Sequence, residues 1–129
     1  MAVEEWVGEI SWISKTWGGP AGLAASGYAW AVVNVRQILA VACSFFVGGR
    51  YEEIGVVTEP ACRGLGLSVL CAQALGEDIV ARGRRPSWTT SVDNKPSRRV
   101  AEKLGFQFVR YDQHYVINQP IPAPPEAPG

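Results

Sequence analysis

Residues 54–66 read IGVVTEPACRGLG, and the fold follows from how this stretch divides. Ile54, Val56 and Val57 form a β-branched run that reads as a buried strand. Thr58, Glu59 and Pro60 make a turn. Arg63-Gly64-Leu65-Gly66-Leu67-Ser68 then leads directly into a helical pattern. A glycine-rich turn between a strand and a helix is an anion site. Glycine lets the backbone pass close to a phosphate, and the N–H groups at the helix start, which lack intrahelical partners, point at it.

Working outward from this junction, residues 51–57 are apolar on both faces, which predicts a central strand. Upstream lie two further apolar runs, 28–35 (YAWAVVNV) and 38–47 (ILAVACSFFV). They are separated by a turn at 34–37, closed by Gly48-Gly49, and read as an antiparallel hairpin. Trp6, Ile10 and Ile13 give residues 4–15 a helical spacing that Gly18, Gly19, Pro20 and Gly22 break. Downstream, residues 67–82 form a helix with Leu67, Leu70, Cys71, Ala74 and Leu75 on its apolar stripe and Gly83 as its stop. Residues 87–92 (SWTTSV) read as a fourth strand. Asp93-Asn94 caps a second helix with Pro96 in its first turn, Val100 and Leu104 on its inner face and Gly105 at its end. Residues 106–111 and 114–117 read as a last hairpin turning at Asp112-Gln113.

The predicted order, β-β-β-α-β-α-β-β, is that of an α/β (α+β) chain with a mixed, mostly antiparallel sheet. It forms one domain over 1–118, of which 1–27 is a variable N-terminal segment. The proline-rich tail at 119–129 is too rich in proline to pack.

Composition narrows the function. A chain of 129 residues, 47% apolar and 19% charged, makes one globular domain. Twelve basic residues against twelve acidic ones argue against nucleic acid and against an anionic membrane surface. No apolar run reaches membrane-spanning length, and the first residues are acidic where a secretory leader is basic. Three cysteines without metal spacing read as reduced thiols in a cytoplasmic protein, and a single histidine, His114, rules out a His-rich metal site, so no metal is expected.

Three signatures, in order, carry a resemblance. The first is the RGLG loop with Ser68 behind it. The second is Asp93-Asn94 after the fourth strand. The third is Ala101-Glu102-Lys103-Leu104-Gly105-Phe106. Together they resemble the GNAT superfamily of acyl-CoA-dependent N-acyltransferases, whose pyrophosphate loop is written (Q/R)-x-x-G-x-G/A and whose last helix often ends in (Y/A)-x-K-L-G-F. The stretch from Pro86 to Ser97, P-x-W-x-T-S-x-D-N-x-x-S, resembles a branch of small members. The resemblance spans roughly residues 28–117. It implies that Arg63, Gly64, Leu65, Gly66, Leu67 and Ser68 wrap the pyrophosphate of acetyl-CoA. It implies that Val56, Val57 and Thr58 offer backbone groups to the pantetheine arm; acyl transfer also needs a donor for the developing oxyanion, for which a strand N–H such as that of Val57 is expected. Asn94 and Ser97 would lie near the pantetheine or the acceptor. The third and fourth strands would splay apart to hold the thioester. Ala101 stands where many members carry the tyrosine that protonates the leaving thiolate, and Tyr111, Tyr115, Ser97 or water would take its place. A short region ahead of residue 28 implies a reduced acceptor wall or one completed by a second copy in a homodimer.

Several residues keep two readings. One of Glu52 and Glu53 serves as a base or amine-positioning group, or the two are a solvated edge pair. Alternation puts Glu53 with Gly55 and Val57 and sets Glu52 with Ile54 and Val56, and the family's acidic residue before its Ile-Gly step favours Glu53. His114 is chemically suited to proton transfer, and a lone histidine on a late strand is also commonly structural. Arg82, Arg84 and Arg85 either reach a 3′-phosphate of the coenzyme or decorate a solvated helix end. The predicted activity is acetyl transfer from acetyl-CoA to a primary amine of a small molecule, by direct attack in a ternary complex. The other class that fits is a non-catalytic acyl-CoA-binding module. A P-loop or Rossmann site does not fit, because the Lys-Ser/Thr pair and the spaced acidic residue are missing.

Overall fold

The computed structural model describes residues 17–35 and 37–113. The helix expected at 4–15, His114, Tyr115, the hairpin arm at 114–117 and the tail at 119–129 lie outside the described residues. The elements are α1 (Pro20–Ala25), β1 (Ala29–Asn34), β2 (Gln37–Val47), β3 (Tyr51–Thr58), a 3₁₀ turn (Pro60–Cys62), α2 (Leu67–Ala81), β4 (Arg85–Ser87) and α3 (Lys95–Lys103). The chain divides between Thr89 and Thr90 into two compact units.

The first unit is a four-stranded sheet in the order β1-β2-β3-β4. β1, β2 and β3 pair antiparallel and β4 joins β3 in parallel. The expected mixed, mostly antiparallel α/β architecture is what the described chain adopts. Residues of β2 alternate between two buried layers. Ala40, Ala42 and Ser44 are fully buried, and their small side chains let α2 lie close to the sheet through Cys71, Ala72, Leu75 and Ile79. On the opposite face Val41 and Cys43 pack with Leu23 of α1, Ile38, Ala29 and Val57.

Two expectations for the first unit change. Leu70, placed on the inner stripe of α2, is 58% exposed. The inner face runs through Ala72, Leu75 and Ile79, and at ~100° per residue Leu70 lies about 200° around the helix from Ala72. The fourth strand is Arg85–Ser87 rather than 87–92. The aromatic and β-branched run after Ser87 has the composition of a strand but forms none among the described residues, and strand propensity expresses fit to a paired surface rather than an intrinsic preference. Pro86 sits inside β4, as an edge strand allows, because it has no N–H to donate.

In the second unit, Asn94 caps α3 as expected. Its Oδ1 accepts from the Ser97 N–H at 3.2 Å, and Pro96 occupies the first turn. Gly105 follows the helix at φ 88°, a conformation that suits glycine there. Replacing Asn94 with alanine is expected to cost about 1 kcal/mol, readable as a lowered denaturant midpoint; an unchanged midpoint would contradict the cap. Residues 106–113 carry no strand among the described residues, which corrects the first arm of the predicted hairpin. A strand needs a ladder partner, and the arm expected to supply one lies outside the described residues.

Candidate coenzyme site

The site is built where β3 hands over to α2. Arg63-Gly64-Leu65-Gly66 follows the 3₁₀ turn, and Gly64 and Gly66 both hold positive φ, 84° and 77°. Side chains other than glycine rarely adopt that conformation, and a Cβ at either position would meet nothing within 4 Å. These glycines therefore are not squeezed by packing; they set the backbone path and leave open space beside it. Gly66 is the N-cap of α2, no side chain caps the helix, and its first turn holds no acidic residue. The helix start thus presents uncapped N–H groups and the positive end of its dipole to that space. Arg63 is exposed beside it. A hydroxyl pair ties loop to strand: Thr58 Oγ1 and Ser68 Oγ lie 2.5 Å apart. Nothing in the sequence spacing announced this contact, since it joins two segments only after the loop has closed.

β4 pairs with β3 only at Tyr51, Glu52 and Glu53. From Ile54 to Thr58 that side of β3 carries no strand among the described residues, so the sheet forks. The ladder fixes which backbone groups face the fork. The Glu59 N–H donates to Leu39 O at 2.8 Å across β2, and Val57 is the Cα partner of Val41. In an antiparallel ladder alternate residues turn both polar groups to the same neighbour. Val57 therefore spends its N–H and C=O on β2, and Val56 and Thr58 turn theirs to the open edge. This corrects the expectation that the Val57 N–H is available to an oxyanion.

The two glutamates separate by face. Glu52 is completely buried on the α2 side. Its Oε1 accepts from Arg82 Nη2 at 2.6 Å and from Ser44 Oγ at 2.8 Å, and its Oε2 accepts from Arg82 Nε at 2.8 Å and Arg84 Nη1 at 3.2 Å. The two-point Arg82 contact, above all, holds the Glu52 carboxyl below the usual range against the opposing effect of burial; Ser44 and Arg84 add to it. Arg82 also lies over the Tyr28 ring at 4.6 Å, and Tyr28 stacks on Trp17. Arg82 and Arg84 are thus occupied inside the fold, which corrects both readings given to them; Arg85 is exposed. Glu53 is half-buried on the other face, and its Oε1 is the one buried side-chain oxygen among the described residues without a hydrogen-bond partner.

The remaining expected residues fall in the second unit. Asn94 and Ser97 are brought together by the helix cap. Tyr111 is 75% exposed and tilts against Phe108 at 4.8 Å. His114 lies outside the described residues. Among the described residues no cluster of histidine, cysteine or acidic side chains has metal-binding geometry, and no helix is long and apolar enough to cross a membrane. Burial pushes the Cys71 thiol up to about 11, and Cys43 is also buried. Of Cys43, Cys62 and Cys71, only Cys62 is expected to react rapidly with an alkylating reagent at neutral pH, so Cys62→Ser should remove the fast phase of labelling; a fast phase that survives would contradict this burial pattern.

A forked α/β sheet with a glycine-rich loop leading from its open strand into a helix defines the class of fold. The chain belongs to the GNAT acetyltransferase family, whose model matches residues 2–115. It is 48% identical over 75 residues to an uncharacterized N-acetyltransferase in the mutA 5′ region of Streptomyces virginiae, covering 57% of this chain and 32% of that one. It is 28% identical over 99 residues to the uncharacterized N-acetyltransferase YdfB of Bacillus subtilis (strain 168), covering 77% and 38%. The chain therefore spans about a third of the length of the curated relatives it matches. Among solved structures it is similar to a GCN5-related N-acetyltransferase-like protein from Streptococcus suis 89/1591, with 30% identity and a TM-score of 0.57 over 66% of this chain and 34% of that one. The aminoglycoside N-acetyltransferase AAC(6′)-Iy, solved with CoA, shares the fold at 19% identity and a TM-score of 0.60 over 70% and 75%.

Proposed function

We propose that this chain binds acetyl-CoA and transfers its acetyl group to a primary amine of a small molecule. The observation that carries the reading is the edge of β3, unpaired among the described residues from Ile54 to Thr58, that runs from the uncapped start of α2 to the fork. From Thr58 back to Glu53 that edge extends roughly 17 Å at about 3.4 Å per residue, the reach of an extended pantetheine arm. The diphosphate would lie against Gly64, Gly66, Leu67 and Ser68, with Arg63 adding charge and Leu65 at the rim. The arm's amides would pair with Val56 and Thr58. Names among the relatives support this: the Streptomyces and Bacillus proteins are called N-acetyltransferases, and AAC(6′)-Iy was crystallised with CoA.

Acetyl-CoA supplies an activated acyl group, whose C–S bond breaks as the amine nitrogen forms the amide. Glu53, at the last β3 position paired with β4, would hold the incoming ammonium and accept its proton. Backbone N–H groups on the open edge of β3 serve the developing oxyanion in place of Val57. The proton that completes the departing thiol would come from Tyr111, Tyr115, Ser97 or water, with His114 a separate candidate for proton transfer. The reaction needs no acyl-enzyme, because the amine and thioester meet at one fork.

An acetylation assay over a panel of amines, read by product mass, tests the reading. Release of CoA together with an acetylated amine is expected. Tight acetyl-CoA binding with no acetylated product from any amine would instead leave a coenzyme-binding module.

A further inference from the structure

Glu53 stands in unusual surroundings for a carboxylate. Strand alternation places it on the sheet face opposite α2, with Tyr51, Gly55 and Val57. Across the ladder its partner on β2 is Phe46, which is 64% exposed, and on β4 it is Ser87. Between residues 17 and 58 the described charged side chains are Arg50, Glu52 and Glu53. Glu52 is buried on the other face and occupied by Arg82 and Arg84. Away from β4 the described residues of the Glu53 face are apolar: Val41, Cys43 and Val57 lie under Leu23. Beside them an uncharged hollow of about 190 Å³ opens along Ala29 and Ala31. The charge nearest in the ladder is a cation, Arg85, the register partner of Tyr51 on the same face.

We propose that Glu53 is the anionic anchor that the described residues of this face supply to the acceptor subsite, and that this subsite takes a monocation, a primary ammonium on an apolar or aromatic body, in preference to a polycation. The inference rests on the acetyl-transfer reading and specifies its acceptor. A buried carboxylate oxygen without a partner is costly unless a donor reaches it, and one ammonium supplies that donor. Phe46 offers an aromatic surface to the same ligand. Among the described residues of this face a second ammonium finds no other carboxylate; it meets apolar surface, which desolvates it without compensation, or Arg85, which repels it.

The test is calorimetric titration of the chain saturated with CoA, which prevents turnover, using phenethylamine and spermidine as probes. Phenethylamine is expected to bind at least tenfold more tightly than spermidine. Glu53→Gln should weaken phenethylamine at least tenfold while leaving CoA affinity within about twofold, a split that a merely structural role would not produce. Spermidine binding as tightly as phenethylamine, phenethylamine binding unchanged in Glu53→Gln, or no amine binding at all to the CoA-loaded chain would each overturn the inference and leave the coenzyme reading in place. Failure of the chain to take up CoA would overturn both.

Discussion

Replacing Glu52 with alanine is expected to destabilise the protein by about 3 kcal/mol, the lower end of what removing one partner of a buried ion pair costs. The lower end applies because Arg82 and Arg84 are about a quarter exposed, at 26% and 28%, and can rehydrate. Ser44 cannot; it is fully buried and loses the acceptor of its hydroxyl. The loss is not local. Arg82 is held by Glu52 on one side and lies over Tyr28 on the other, and Tyr28 stacks on Trp17, whose indole N–H donates to Ser44 O at 2.8 Å. One carboxylate thus joins the end of α2, two strands and the segment ahead of β1. A thermal melt should fall on the order of 10 °C; a fall below about 3 °C would contradict the account.

The same group fixes the acid limb of the stability curve. Its carboxyl is held below the usual glutamate value of 4.5 in the folded chain. On acidification the unfolded chain therefore takes up this proton first, and the contribution is fully present above about pH 4.5 and lost as pH falls through the folded value. Wild-type stability should drop more steeply below that pH than the stability of Glu52→Gln. Parallel curves for the two proteins would contradict the assignment.

The second large effect concerns the loop. Gly66→Asn keeps a residue that tolerates positive φ, so the fold should survive, yet its side chain grows into the open space in front of α2 and competes for the uncapped N–H groups. Arg63→Glu reverses the exposed charge beside them. Each is expected to weaken acetyl-CoA binding at least tenfold, and together about a hundredfold, which corresponds to about 2.8 kcal/mol. Unchanged affinity in the double variant, in a protein that melts near the wild-type temperature, would place the coenzyme elsewhere.

Much of this site was legible in the sequence because its signals are local. The strand–turn–glycine–helix succession needs only neighbouring residues, and the β1–β2–β3 meander follows from apolar runs broken by Gly48-Gly49. What escaped reading depends on contacts distant along the chain. The fork exists because β4 pairs with β3 for three residues only, and no property of SWTTSV reveals that the ladder stops at Ser87. The fate of Glu52 depends on Arg82 and Arg84, thirty residues on. The pattern EE…R-x-R was present, but strand alternation only separated the two glutamates; it did not say which one the helix end would capture. Val57 likewise looked available until the β2 register assigned its polar groups inward.

Amide hydrogen exchange, resolved residue by residue with and without saturating acetyl-CoA, separates the backbone groups of β3 that face the coenzyme from those committed to β2. The Val56 and Thr58 amides on the open edge, with those of Gly66, Leu67 and Ser68, are expected to gain protection together when acetyl-CoA binds, while the Val57 amide, already committed to β2, stays as it was. Exchange at Val56 and Thr58 that remains unchanged at millimolar acetyl-CoA would contradict it.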